Sequence, residues 1–319
     1  MTAPAGPQVR VGIVAWNSAA LLERCLAALP AALAGLDAEV VVVDNASPDA
    51  SAEVAATHHE VRVVCNPTNV GYARAMNQAL AGGRAEVLIA LNPDTLPPPG
   101  SLATLVERLM VDPAVALVAP TLVDLDGTPQ WSARRFPSLT VAAAACLLPN
   151  RWHGGRVGRR LGLELAGQPS VPTDVDWAIG AVHVIRAAAL AGRSPYDERW
   201  FMYVEDTELC WWLARRGWRR RFEADIAVPH VGNASGATAW GDDYIGRCHD
   251  ATYDWYQRDR GRGGVRALAV IHALRVASRA GIGALARRPP DHLDALRREL
   301  PHHLRTILHG APPPAGPPT

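Results

Sequence analysis

Two short acidic segments are the first places in the chain where side chains could act on a phosphorylated or hydroxylated substrate. In Leu91-Asn92-Pro93-Asp94-Thr95 a carboxylate stands on a tight turn just past the all-apolar run Val87–Leu91. Oxygen ligands of this kind suit Mg²⁺ or Mn²⁺, which keep open positions for phosphate and water. The same residue types also build an Asx-turn that only closes a strand. In Tyr203-Val204-Glu205-Asp206-Thr207-Glu208-Leu209 an Asp stands at the start of a predicted helix. Free backbone N–H groups and the helix dipole stabilise such a residue as the anion. It could take a proton from an attacking hydroxyl, a role worth roughly 10² to 10⁴ in rate. It could equally cap a helix whose buried face is Leu209, Trp212 and Leu213, and on this segment alone capping is the simpler reading.

Two more segments carry polar groups at the mouths of predicted elements. In Asn66-Pro67-Thr68-Asn69-Val70-Gly71-Tyr72-Ala73-Arg74-Ala75-Met76-Asn77, Gly71 permits close backbone approach, and Arg74 and Asn77 lie one helical turn apart. This could grip a diphosphate or sugar, or be an ordinary loop with a solvated Arg. In Pro229-His230-Val231-Gly232-Asn233-Ala234-Ser235, His230 could ligate metal or meet phosphate, although a lone His is more often structural. His183 sits in an apolar strand and is assigned to packing. No Cys/His spacing suggests zinc, no G-x-S-x-G suggests a hydrolase, and neither G-x-G-x-x-G nor a P-loop is present.

The elements that must position these residues follow from the apolar pattern. Val9–Val14, Val40–Val43, Val61–Cys65 and Val87–Leu91 read as buried strands. Between them fall a helix with Leu21, Leu22, Cys25, Leu26 and Leu29 on one face, capped by Asn17 or Ser18, a second started by Ser47-Pro48, and a third over Gly71–Leu80. Continuous apolar strands alternating with helices imply a mostly parallel α/β sheet with helices on both faces. Ligands then bind beyond the carboxyl ends of the strands, where Ala15-Trp16-Asn17, Asp44-Asn45, Asn66–Gly71 and Asn92-Pro93-Asp94 gather. Further on, Asp126-Gly127 reads as a hairpin turn, Asn150–Ser170 as a mobile loop, Asp174–Ile179 as a strand and Glu205–Arg216 as a helix. From about Gly263 the chain turns to amphipathic Ala/Arg sequence.

The series Val11-Gly12-Ile13-Val14 with Asn17, Val41-Val42-Val43-Asp44-Asn45-Ala46-Ser47, Asn69-Val70-Gly71-Tyr72-Ala73, Asn92-Pro93-Asp94, Glu205-Asp206 and His230, in that order, resembles glycosyltransferase family 2 and its rhamnosyltransferase-like branch. The resemblance spans roughly Val9 to Ser235. It implies a GT-A fold and an inverting, metal-dependent transfer of a sugar, first choice rhamnose or another deoxysugar, from a dTDP- or UDP-sugar. Ala15 and Asn17 would lie by the nucleoside and Asp44 would bond the pyrimidine, with Asn45, Asn69, Gly71, Arg74, Asn77 and Asn92 completing the donor surface. Asp94 matches the last acid of the D-x-D metal motif, with His230 as a second metal contact. Asp206 matches the catalytic base, and Glu205 would orient the acceptor. Asp176-Trp177, Gly180-Ala181 and Trp211 would flank a glycolipid, glycan or small natural-product acceptor. The chain departs from the family in having Asn92 as the first position of D-x-D, which leaves one metal carboxylate. It also has Trp211-Trp212 where many relatives carry Arg. A sugar-1-phosphate nucleotidyltransferase would need a Gly-rich basic loop where Ala15-Trp16-Asn17-Ser18 stands. A non-catalytic sugar-nucleotide-binding protein is the third reading.

Composition is compatible with all of this. The net charge of +1 gives no electrostatic reason to expect nucleic acid, and all 32 basic residues counted as Lys or Arg are Arg. Five scattered cysteines without a C-x-x-C pair fit reduced thiols and a cytoplasmic location. Residues 1–10 lack the pattern of a secretory signal, and no apolar run is long enough for a membrane span. The expected division is a GT-A domain over 1–262 (donor half 9–120, acceptor half 121–262), a helical extension over 263–310 and a disordered tail over 311–319. The extension could lie on a membrane surface, on the inner face, or pack on the domain or a second subunit as in a homodimer; packing is the commoner outcome for such helices.

Overall fold

A computed structural model describes residues 8–82, 84–148, 158, 160, 168–232, 241, 244–285 and 291–313. Most of the predicted loop 150–170, the Asn233-Ala234-Ser235 end of the His230 motif and positions 314–319 of the expected tail lie outside the described residues. The chain separates into two compact units, one of residues 1–134 with 168–235 and one of 135–167 with 236–319.

The first unit is built on an eight-stranded sheet. Its strands are β1 (Val9–Ala15), β2 (Ala38–Asp44), β3 (Val61–Cys65), β4 (Val87–Leu91), β5 (Val115–Val123), β7 (Thr173–Asp174), β9 (Val182–Arg186) and β10 (Arg219–Pro229). The order is β3-β2-β1-β4-β9-β5-β10-β7, and a two-stranded ribbon joins β6 (Ala133–Arg134) to β8 (Trp177–Ala178). β1, β2, β3 and β4 run parallel, as do β5 and β10; β9 and β7 run antiparallel to their neighbours. The mostly parallel α/β architecture read from the sequence is therefore present. Strands covered on both faces need side chains that want no water on either, which is why β1, β4 and β5 are apolar and buried nearly throughout.

Helices α1 (Ala19–Ala32), α2 (Ser51–Thr57), α3 (Tyr72–Leu80) and α4 (Ser101–Val111) link the first five strands. α1 buries Leu22, Cys25, Leu26, Leu29 and Ala32, close to the predicted face. Each fully buried Leu is worth roughly 1.5–3 kcal/mol relative to exposure. Two cap predictions fail for one reason. Ser47 does not start α2, because its N–H is held by Asp44 Oδ2 at 3.2 Å in an Asx-turn, and the helix begins four residues later. Asp49, beyond that turn, accepts from Ala19 N at 2.9 Å and so caps α1, where neither Asn17 nor Ser18 does. The predicted strand Asp174–Ile179 is split into β7 and β8. Asp126-Gly127 does turn a hairpin, closed by Asp124 N on Thr128 O at 2.8 Å.

The second unit is helical: α5 (Leu139–Leu147), α7 (Tyr244–Leu285) and α8 (Asp291–His309), with α6 (Glu205–Arg215) belonging to the first unit. α7 is two helices merged across Gly261, whose φ of 71° breaks the helical run. The expected boundary at 262/263 thus falls inside α7. Residues before it pack with α8 and α5, and so the structure divides the chain earlier, at 235/236. Among the described residues no helix is long and apolar enough to cross a membrane.

Candidate active site

The carboxyl ends of β1, β2, β4 and β10 bring together the polar segments singled out in the sequence. Asn45 is the buried hub of this rim. Its Nδ2 donates to Asn69 Oδ1 at 2.8 Å and to Gly71 O at 3.4 Å, and its Oδ1 accepts from Asn66 Nδ2 and Val70 N at 3.1 and 3.0 Å. Gly71, at φ 87°, lies against the backbone of Phe201. A Cβ there would stand 2.6 Å from Phe201 O, and Tyr72 N donates to that same oxygen at 2.7 Å. Further along α3, Asn77 donates to Tyr196 O at 2.8 Å and accepts from Tyr196 N at 3.0 Å.

Much of the bonding capacity expected to meet a sugar nucleotide at Asn45, Asn69, Gly71 and Asn77 serves the protein's own rim. Both ends of the Asn45 and Asn77 amides, and Asn69 Oδ1, are spent inside the protein. The close approach at Gly71 is to the chain itself. Arg74 is exposed and only 3.8 Å from the equally solvated Glu198, a pair worth little.

What this scaffold presents is a set of acids. Tyr203 and Val204 precede α6 with φ of 70° and 73°, a left-handed pair that is rare for non-glycine residues and most costly for a β-branched one. Held there, the chain delivers Glu205 buried and Asp206 half-exposed. Asp206 Oδ2 accepts from Gly180 N at 3.1 Å, and Oδ1 accepts from Thr207 N at 2.6 Å. Gly180 has no room for a side chain without moving Asp206, since a Cβ would lie 3.2 Å from the Asp206 Cβ. The Tyr72 hydroxyl donates to Gly180 O at 3.4 Å. Burial holds its pKa well above the ordinary value, and the carboxylates of Glu205, Asp206 and Asp94 push the same way. Asn92 N, at the start of the turn that carries Asp94, donates to Ala181 O at 2.9 Å, so the turn of Asp94 and the side chain of Asp206 are both tied to the Gly180-Ala181 backbone.

Asp94 is buried beside His230, with Oδ1 3.4 Å from Nε2. A bridge between Thr95 and His230, and the bond from Val231 N to Asp94 O at 3.0 Å, bring the end of β10 to the turn after β4. Gln130 fixes a hydrogen on one nitrogen of this imidazole. Its Nε2 already donates to Asp124 Oδ1 and His230 O, each at 2.7 Å, so its Oε1 must be the acceptor for His230 Nδ1–H at 2.8 Å. In neutral His230 the Nε2 lone pair then points at a carboxylate oxygen, an arrangement that wants a cation between them. Asp94 Oδ1, Asn92 Oδ1 and Asp44 Oδ1 are buried with no hydrogen-bond partner. Oxygen donors with one imidazole suit Mg²⁺ or Mn²⁺, so the residues present fit such an ion.

The flanks are less accessible than expected. Ala15 and Ala181 are fully buried, and Asn17, at φ 50°, is tied through its N–H to Ser47 Oγ at 3.2 Å. The Asp176 carbonyl accepts from Arg220 at 3.2 Å, and Trp177 lies under the Arg134 guanidinium at 5.5 Å. Trp212 is not on the buried face of α6: Arg216 and Arg193 cover its ring at 3.7 and 4.7 Å. Trp211 is half-buried with Arg215 5.8 Å away. His183, assigned to packing from its apolar strand, is fully buried and joined to Tyr196 at 3.3 Å, whereas Gln130 and Tyr196 carried no signal in the sequence because each comes from an unremarkable context.

A profile of the family described as Glycosyl transferase family 2 matches residues 10–165. An N-acetylglucosaminyl-diphospho-decaprenol L-rhamnosyltransferase of Mycobacterium tuberculosis is 30% identical over 224 residues, covering 66% of this chain and 71% of the relative. This chain belongs to glycosyltransferase family 2. A pre-mycofactocin glycosyltransferase of the same species is 31% identical over 234 residues, 71% of this chain and 44% of that one. The fold is also that of a solved structure, the mannosyltransferase PcManGT of Pyrobaculum calidifontis in complex with GDP-Man and Mn²⁺. That structure superposes with a TM-score of 0.58 at 19% identity, covering 95% of this chain and 87% of the other. As a member of the family the chain is a glycosyltransferase with a GT-A-like α/β sheet, and a nucleotide-sugar donor is typical of its class.

Burial first, and the neighbouring Asp206 second, push the Glu205 carboxyl up to about 8 from an ordinary value near 4.5. Between those two values the unfolded chain releases a proton that the folded chain keeps, so Glu205 makes stability fall as pH rises from about 4.5 to about 8. Glu205→Gln removes that contribution. Thermal melting from pH 5 to 8 should show a smaller loss of Tm in the variant than in the wild type; parallel curves would mean that Glu205 ionises freely in the fold.

Proposed function

We propose that this glycosyltransferase inverts the anomeric centre of its donor, moving a deoxyhexose such as rhamnose from a dTDP- or UDP-sugar onto an acceptor hydroxyl. The observation that supports the proposal is that Asp206 and Tyr72 both bond Gly180, while the turn carrying the buried Asp94 is tied to the adjacent Ala181, at the carboxyl ends of the strands. Rhamnose as the sugar rests on the rhamnosyltransferase relative and on Asn92 at the first position of the acidic turn.

In this reading Asp206 is the base. Its oxygens are held by Gly180 N and Thr207 N, so it is fixed in place while its exposed edge meets the incoming hydroxyl. Glu205 is kept protonated by burial and by the neighbouring Asp206. The acceptor oxygen attacks the anomeric carbon from the face opposite the diphosphate, its proton passes to Asp206, and the nucleoside diphosphate leaves with the electrons of the broken bond. Asp94, Asn92 and His230 would hold Mg²⁺ or Mn²⁺, which when bound supplies Lewis-acid neutralisation of the leaving phosphate. Asp44, with one buried oxygen unpartnered, is the group suited to bond the donor's base. A lipid-linked acceptor is the class favoured here. The relative's name carries such a lipid, and the helical unit exposes Val270 and Leu274, and Leu304 and Leu308, each pair one helical turn apart.

Asp206→Asn should bind the sugar nucleotide as the wild type does in calorimetry while kcat falls by about 10² or more. Near-wild-type turnover would remove Asp206 from the base role. Asp94→Asn should lose stimulation by Mn²⁺ and leave the melting temperature close to that of the wild type. Wild-type activity indifferent to EDTA would contradict the metal assignment.

A further inference from the structure

The helical unit contains a second group of ligand-type side chains that the transfer reaction does not use. His249 lies on the first segment of α7, His272 on the segment after the Gly261 break, and His303 on α8. One nitrogen of each ring lies within 4.8 Å of a nitrogen from each of the other two. The ring centroids are 4.8 to 5.7 Å apart. Each ring is also anchored through one nitrogen. His249 Nε2 meets Glu299 Oε2 at 3.3 Å, and the Tyr253 hydroxyl stands 2.9 Å from Nδ1 of both His272 and His303. The remaining nitrogen of His303 has no partner, although the residue is completely buried.

Three imidazoles this close, with one buried ring nitrogen left unpartnered, have the donor set of a transition-metal site. Ligating histidines present one nitrogen to the metal and tie the other to a carboxylate, carbonyl or hydroxyl, which fixes the ring and sets the tautomer. An orphaned buried ring nitrogen has otherwise lost its hydration with nothing in return.

We propose that His249, His272 and His303 bind one Zn²⁺-class ion that joins three helical segments, separate in ligand chemistry from the oxygen-rich site at Asp94. Zn–N bonds of about 2.0–2.1 Å place tetrahedral ligand atoms roughly 3.4 Å apart. The rings therefore close by about 1.5 Å on binding, within reach of small side-chain rotations. Three nitrogens leave the fourth position to water. Helical spacing supports the site from both sides, with His249 and Tyr253 one turn apart on α7, and Glu299 and His303 one turn apart on α8. Because the ligands are widely separated in sequence, no short motif announces them.

The test uses the full chain carrying Asp94→Asn, so that metal at the acidic site does not contribute. After chelator treatment and dialysis, Co²⁺ should bind at one equivalent with strong visible absorption of tetrahedral type, and Zn²⁺ should displace it. Saturating Zn²⁺ should raise Tm by about 5 °C. His272→Phe, at a half-buried position, should abolish both effects in a chain that still melts cooperatively, and His303→Gln should do the same. Absence of Co²⁺ binding at 100 µM by the folded parent protein would overturn the proposal, and so would one-equivalent binding retained in either folded variant.

Discussion

The contact of Gly71 with the backbone of Phe201 is the constraint from which the geometry of the acidic cluster follows. No side chain fits between them, and the bond from Tyr72 N to Phe201 O at 2.7 Å closes the contact. It joins the start of α3, which is fixed to the parallel sheet through the Asn45 amide, to the segment that enters α6. Further along α3, Asn77 repeats the connection on Tyr196. With both ends of the segment pinned, the chain can hold Tyr203 and Val204 in the left-handed region, at a cost of order 1–2 kcal/mol each. That strain aims Glu205 and Asp206 back toward the strand ends.

Gathering three acids around a tyrosine in a partly dry site is unfavourable unless each charge is answered. The structure answers them in three ways. Glu205 keeps its proton, because burial and the adjacent Asp206 both favour the neutral form. Asp206 takes two backbone N–H bonds and an open edge to solvent. Asp94 has only His230, whose tautomer is dictated by Gln130, and an oxygen without a hydrogen bond. The last of these is the least complete, and it is where a bound cation would answer the charge.

Much of the architecture was legible because burial on both faces leaves a plain mark. The apolar runs at Val9, Val40, Val61 and Val87 gave the parallel half of the sheet, and the polar residues just beyond them gave the rim. What the rim residues do was less legible. Asn45 and Asn77 have the chemistry of ligand-binding amides, but whether an amide is free depends on contacts such as Asn77 with Tyr196, 119 positions away. Ser47-Pro48 carried a good local signal for a helix start that the Asp44 turn overrode. Trp212 fitted a buried helical face by spacing, yet two guanidiniums on either side made a half-exposed position favourable. The His249, His272 and His303 cluster was invisible for the same reason as Gln130: side chains brought together only by tertiary packing leave no local pattern.

The most direct test is a crystal structure of the full chain with a pyrimidine nucleoside diphosphate and Mn²⁺, the ion located by its anomalous scattering. The expected result is Mn²⁺ about 2.1–2.3 Å from a carboxylate oxygen of Asp94, in contact with the diphosphate, with Asp206 lining the same cavity. Manganese bound away from Asp94, or Asp206 turned to a surface with no open path to the diphosphate, would contradict the account.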